Sequence, residues 1–243
     1  MSEDYIIEVK ELEKSYPGVH ALKKIHLNIQ RGTVHCVVGE NGAGKSTFIK
    51  ILTGAEQRDS GTILLNGSDY RPRSIAEAAE AGISVLYQEL NVINQLTVRD
   101  NLSLGKERTR LGVIQKQDEG SEKALRVLKD LDPSIRGDMI TGDLSVAKKQ
   151  IVEIAKAIAE DASIIVMDEP TAAISDEEIR RLFLLVDQLK ERNVTIIYIS
   201  HRLDEIFRIG DYITVFRDGE AVETCPVSQV ESKSQLISMM LGK

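Results

Sequence analysis

Apolar and polar residues alternate over 6–11 and again over 25–29, which predicts strands exposed on one face only. Residues 62–65 read as a short strand that ends in the turn pair Asn66-Gly67. Other runs do not alternate. Val34-His35-Cys36-Val37-Val38 is an apolar run that predicts a strand, 83–87 is a candidate buried strand, and 164–167 and 194–199 are continuous β-rich runs expected of central parallel strands covered on both faces. Residues 212–216 followed by Asp218-Gly219 predict a hairpin near the sheet edge. Helical spacing marks Phe48, Ile49, Ile51 and Leu52, closed by Gly54, and also Ile179, Leu182, Phe183, Val186 and Leu189 between two strands. From about 98 to 160 the period is helical, as in Leu125, Leu128 and Leu131, then Ile151, Ile154, Ala155 and Ile158. Residues 228–243 predict one short helix, and no internal repeat or low-complexity segment is evident.

Strands alternating with helices predict an α/β fold with a mainly parallel central sheet and a helical insertion. The simplest layout for 1–243 is a single unit. Its α/β core spans about 1–89 and 161–221, its helical part about 90–160, and its tail about 222–243. The length of 243 residues is ample for a large core. Lys+Arg of 31 against Asp+Glu of 38 leaves a net charge of −7, which argues against nonspecific nucleic-acid binding. Cys36 and Cys225 lack metal-type spacing and read as reduced thiols of a cytosolic protein. The acidic start Met1-Ser2-Glu3-Asp4 lacks the apolar stretch of a secretion signal, and no apolar run approaches the ~20 residues of a membrane helix. The chain is therefore expected to be soluble, with any membrane role supplied by a partner.

The segment Gly39-Glu40-Asn41-Gly42-Ala43-Gly44-Lys45-Ser46-Thr47 follows an apolar strand and opens a helix, with the spacing G-x-x-x-x-G-K-[ST]. Its glycines let backbone N–H groups turn around a polyphosphate, and the helix start adds its positive dipole end. Lys45 can reach the β- and γ-phosphates, and Ser46 can ligate the accompanying Mg2+. A nucleoside triphosphate is the expected ligand. Ile164-Ile165-Val166-Met167-Asp168-Glu169 ends a buried strand with two carboxylates, at the sheet edge where doubly wound folds bind ligands. Asp168 would hold Mg2+ and Glu169 would polarise the attacking water.

With these residues in place, the chain resembles an ATP-binding-cassette (ABC) transporter ATPase subunit from end to end. The resemblance implies a P-loop NTPase core with an N-terminal antiparallel β region and the helical insertion. Tyr16, in Ser15-Tyr16-Pro17-Gly18, falls where the family keeps an aromatic residue stacked on adenine. Gln88, in Leu86-Tyr87-Gln88-Glu89, resembles the glutamine that touches Mg2+ and water and links core to insertion. His201, in Tyr198-Ile199-Ser200-His201-Arg202, resembles the histidine that contacts the γ-phosphate, and it follows a core strand. The signature L-S-G-G-Q becomes Leu144-Ser145-Val146-Ala147-Lys148-Lys149-Gln150. Ser145 is kept, and the resemblance turns it toward the ATP of a partner cassette, but both glycines are replaced by residues whose Cβ atoms hinder close backbone approach. The family's S-A-L-D is Ala172-Ala173-Ile174-Ser175, which lacks the aspartate.

Tyr16-Pro17-Gly18-Val19-His20-Ala21-Leu22, Gln88-Glu89-Leu90-Asn91 and Val152-Glu153-Ile154-Ala155-Lys156-Ala157 are similar to the first half of fused two-cassette ATPases of bacterial ribose-, galactose-, arabinose- or xylose-type importers. That resemblance implies ATP and Mg2+ as cofactors and a second cassette, either a C-terminal half or a homodimer mate. It also implies an integral membrane permease received around 88–96, a substrate-binding protein indirectly, and a cytoplasmic location at the inner face of the membrane. Two other readings stay open: a nucleotide-binding regulatory cassette with little turnover, and a soluble ABC ATPase acting on nucleic acid or ribosomes, which the acidic balance disfavours.

Overall fold

Gly18 sits at φ 79° after Pro17 and lets β1 (Tyr5–Tyr16) fold back antiparallel on β2 (Val19–Gln30). Ile25, Leu27 and Ile29 are buried while His26 and Asn28 are exposed, so the alternation of the sequence is a real two-faced strand. Both strands run beyond the alternating stretches. Their continuity is hidden at Glu11 (φ 50°) and Lys24 (φ 49°), where positive φ accompanies shifts in register and breaks the period of two. The structure is a computed structural model that describes residues 4–86, 91–104, 109–110, 113–114, 119–172 and 174–242.

In chain order the described elements continue with β3 (Val34–Gly39), α1 (Lys45–Leu52), β4 (Ser60–Leu65), β5 (Ser68–Asp69), α2 (Ile75–Glu80) and β6 (Ile83–Leu86). Then come α3 (Val98–Ser103), the two-residue strands β7 (Thr109–Arg110) and β8 (Val113–Ile114), α4 (Glu119–Leu131) and α5 (Val146–Ala159). The chain closes with β9 (Ile164–Asp168), α6 (Asp176–Glu191), β10 (Thr195–Ile199), α7 (Leu203–Ile209), β11 (Tyr212–Arg217), β12 (Glu220–Pro226) and α8 (Lys233–Leu241). Among the described residues the central sheet has the order β12-β11-β3-β10-β9-β6, parallel throughout except for β12. A second sheet, β2-β1-β4-β5, is antiparallel, with Asn66 (φ 52°) and Gly67 (φ 74°) forming the tight turn between β4 and β5.

The apolar runs of the central strands are explained by two cores, one on each face. Val34, Cys36 and Val38, with Ile165, Met167, Ile196 and Tyr198, pack on the side of α4, α5, α6 and α7. Val37, Val166, Ile197 and Ile199 point to the opposite face and pack with Phe48 and Leu52 of α1 and Ile7, Leu27 and Ile63 of the antiparallel sheet. Each strand thus buries odd and even positions alike, leaving no polar side to alternate. Cys36 and Cys225 are free thiols, and burial pushes the Cys36 thiol up.

The helices α3, α4 and α5 come between β6 and β9. Where the sequence predicts helical period throughout 98–160, the structure adds the β7–β8 ribbon and a 3-10 turn at Thr141–Asp143. β12 continues the central sheet to Pro226, past residue 221, where the tail was expected to begin. α8 starts at its cap Ser232 and stops at Gly242 (φ 72°). No helix among the described residues is long and apolar enough to cross a membrane.

Candidate functional site

β3, β10 and β9 lie side by side, so the segments following them emerge together at one edge of the sheet. The loop after β3 has its path dictated by two glycines. At Gly39 (φ 151°) a Cβ would stand 2.2 Å from the Phe216 carbonyl oxygen, and at Gly44 (φ 104°) 2.7 Å from that of Ala21. Gly44 occupies the N-cap of α1 without offering a side-chain cap, so the first-turn N–H groups of α1 are open to an outside acceptor. At Gly42 (φ 83°) a Cβ would meet no atom of the described residues within 4 Å.

Lys45 Nζ donates to the carbonyls of Gly39 (2.7 Å) and Glu40 (2.9 Å), folding back over its own loop. Burial pulls the Lys45 ammonium below its usual range, opposed by the charges of Glu169 and Asp168. Asp168, the last residue of β9, is pushed up by burial and then by neighbouring Glu169, with Lys45 opposing. These three groups share one field: a bound cation would offset the repulsion of the two carboxylates, and a polyphosphate would meet the Lys45 ammonium.

Glu169 adopts a left-handed φ of 47°, rare for a non-glycine residue, and its N–H donates to the Ile199 carbonyl at 2.9 Å. That bond ties the turn after β9 to the end of β10. It brings Glu169 Oε1 to 3.2 Å from Nδ1 of His201, the second residue beyond β10. Both side chains reach solvent.

An open cleft of about 350 Å³ joins these parts, with Tyr16, Asn41, Lys45, Ser46, Asp168 and Glu169 in its lining. Tyr16 stands at its border, its hydroxyl 3.4 Å from Glu56 Oε2 and its ring 5.3 Å from the Lys14 ammonium. Gly42, Gly44 and Thr47 line the cleft as well, while Ala43 is buried behind the loop and Glu40 is exposed. Val19, Ala21 and Ile199 also line it; the sequence gives them no role of their own, although Val19 and Ala21 lie within the Tyr16–Leu22 segment and Ile199 two residues before His201.

Ser145 is not brought into this cleft. It caps α5, its hydroxyl accepting from Lys148 N–H at 3.4 Å, with Val146 exposed beside it and Ala147 buried. Ser175, standing where the aspartate is missing, caps α6 in a reciprocal box with Glu178. The capping function of an Asp is therefore retained while its second carboxylate oxygen and charge are lost. Gln88 and Ala173 lie outside the described residues.

For a nucleoside triphosphate the donor set fits: backbone N–H groups at a helix start, one ammonium and open space at Gly42. Ser46 and Asp168 offer two oxygen donors, suited to Mg2+ that keeps water and phosphate oxygens as its remaining ligands.

The family model described as ABC transporter matches residues 22–172 of this chain. The ribose import ATP-binding protein RbsA of Bacillus cereus is 44% identical over 98% of this chain and 48% of its own length. The galactose/methyl galactoside import ATP-binding protein MglA of Escherichia coli K12 is 41% identical over 100% of this chain and 47% of its own length. The chain spans about half the length of the curated relatives it matches. Among solved structures, an ATP-binding cassette of an ABC transporter in its ADP conformation aligns with a TM-score of 0.86 at 28% identity, covering 98% of this chain and 99% of that one.

Proposed function

This chain belongs to the ABC transporter family, and we propose that it binds and hydrolyses ATP to energise import of a sugar through a membrane permease. The observation that carries the reading is the meeting of Lys45, Asp168, Glu169 and His201 at the ends of three adjacent strands, beside a glycine-shaped loop. The monosaccharide class of cargo is supported by the two relatives whose names specify ribose and galactose import.

In this reading residues 39–47 cradle the phosphates with backbone N–H groups, and Lys45 exchanges its two loop carbonyls for β- and γ-phosphate oxygens. Ser46 and Asp168 hold Mg2+, which supplies charge neutralisation on the phosphates when bound. Tyr16 stacks on adenine. Glu169 accepts a proton from the attacking water, and His201, in contact with Glu169, orients it and reaches the γ-phosphate. Gln88 contacts Mg2+ and water. Catalysis on this arrangement is positioning plus charge stabilisation.

Ser145 serves the ATP of a second cassette, either another half of a longer chain or a second copy; spanning half the length of its relatives supports the former. The α/β core and the helical part between β6 and β9 move relative to one another as the two cassettes close. The permease docks around 88–96 and the chain lies at the cytoplasmic face of the membrane; exposed Ile93 and Ile140, on paired segments, support the docking. A substrate-binding protein acts on the other side.

The test is Glu169→Gln in the full-length protein with its partners. ATP stays bound, and phosphate release falls by about 100- to 10,000-fold, the span of a lost general base. Undiminished phosphate release would overturn the assignment of Glu169. A second reading, a regulatory cassette with little turnover, is favoured by the exposed Val146 in the signature segment. Tight nucleotide binding without hydrolysis in the complete assembly would select it.

A further inference from the structure

The Glu169–His201 contact does not explain its own geometry. Both side chains are partly solvated, and a pair of that kind is too weak to hold two loops in register. Beneath it lies a group better placed to do so. Glu205, in the first turn of α7, has a side chain only 4% exposed and is surrounded by donors. Oε1 accepts from the Thr171 hydroxyl at 2.7 Å and stands 3.2 Å from Arg202 Nη1. Oε2 accepts from Tyr198 OH at 2.7 Å and from Ser200 Oγ at 2.9 Å. Four donors on two oxygens saturate the carboxylate, which is what a buried anion requires.

The donors come from the two segments that carry the reacting side chains. Thr171 is two residues beyond Glu169, in the turn where the Glu169 carbonyl accepts from Ala172 N–H at 3.2 Å. Ser200 and Arg202 flank His201, and the Ser200 hydroxyl also accepts from Arg202 N–H at 3.0 Å. Tyr198 anchors the same carboxylate to the buried centre of β10, and burial together with Glu205 pushes its phenol far up, so it stays a donor. Oε1 therefore grips the Glu169 turn, with Arg202 beside it, while Oε2 grips the end of β10 and Ser200, the residue before His201.

We propose that Glu205 is a positioning residue for ATP hydrolysis, fixing Glu169 and His201 opposite one another through Thr171 and Ser200. The inference rests on the proposed function for its catalytic consequence. Displacing a catalytic pair by about 1 Å is enough to cost on the order of 100-fold in rate. Glu205→Gln keeps the shape of the side chain but presents an NH2 where one acceptor oxygen stood. In the full-length protein with its partners, kcat should fall by roughly 10- to 100-fold while KM for ATP stays within about twofold.

Thr171→Val, which removes a single hydroxyl, should reproduce the loss, and Thr171→Ser should restore the rate. Combined with His201→Ala, Glu205→Gln should be far from additive, because both act through one arrangement. A readout independent of turnover is the His201 ring resonance in NMR spectra: Glu205→Gln and Thr171→Val should shift it as Glu169→Gln does. Unchanged kcat with an unchanged His201 resonance in folded Thr171→Val would overturn the inference. A wild-type protein that hydrolysed no ATP would overturn the proposed function instead, and the His201 resonance alone would then decide whether Glu205 sets this geometry.

Discussion

The loop at 39–47 and the start of α5 are both helix N-termini preceded by a turn, yet the sequence treats them oppositely. The first keeps glycine wherever backbone must come close: at Gly39 and Gly44 a Cβ would strike a carbonyl oxygen. The second has Val146 and Ala147 where the family has glycines, and its cap is a serine already engaged with Lys148 N–H. One terminus is built to receive an anion closely, the other to terminate a helix well. On the proposed reading the chain's own loop keeps the close backbone approach a nucleotide needs, while what it would present to a partner's nucleotide is sterically reduced.

The comparison breaks first at the loop. Gly39→Ala forces a Cβ to 2.2 Å from the Phe216 carbonyl, against backbone that cannot rotate away. It should cost about 1–3 kcal/mol of stability and abolish nucleotide binding, measured by thermal unfolding and by ATP titration. Gly42→Ala meets no atom of the described residues within 4 Å and bears the left-handed conformation at φ 83°, about 1–2 kcal/mol. If the two variants behaved alike, close approach would not be the reason for glycine in this loop.

A second test concerns the helix behind Ser145. Glu153 of α5 is pushed up to about 7 by burial, opposed by the Asn91 N–H that its Oε1 accepts at 2.6 Å and by Lys156, and its buried Oε2 has no hydrogen-bond partner among the described residues. A carboxyl whose folded pKa lies above its unfolded one binds its proton more tightly when folded. Stability is therefore fully present below the unfolded value near 4.5 and falls as pH rises toward 7. The loss is at most about 3 kcal/mol and less after solvent screening. Urea unfolding between pH 4 and 8 should show this slope in the wild type and a flatter curve in Glu153→Gln. An identical slope in both would place the titration elsewhere.

How much of this was legible in sequence depends on whether a residue's partners are near in the chain. The central strands could be read because β9 and β10 are apolar on both faces, and the phosphate loop because its glycines, lysine and serine are contiguous. The alternation over 6–11 and 25–29 marks only part of β1 and β2, because polar pairs at their bulges imitate strand ends. The end of the core at 226 is not marked in the sequence, because β12, at the sheet edge, is largely solvated and carries little pattern. Glu205 was invisible for a different reason. Asp204 and Glu205 are adjacent acids at a helix start, but their side chains are 85% and 4% exposed. Only the approach of Thr171 and Tyr198 from elsewhere in the chain distinguishes them.

The smallest expected effects bear most directly on the opening contrast. Ser145→Ala removes an N-cap and should cost about 1 kcal/mol, with no change in this chain's own nucleotide affinity, because Ser145 stands outside its cleft. Val146→Gly acts in the other direction on function. Val146 is the first residue of α5 and 37% exposed, so its loss opens backbone approach at little cost to packing. If its side chain is the obstacle, the variant recovers on the order of one hydrogen bond to the partner's phosphate, about 0.5–1.5 kcal/mol, or roughly two- to tenfold in turnover of the complete assembly. Turnover equal to wild type would mean that the partner's nucleotide does not press against this helix, and the two termini would then differ in sequence without differing in use.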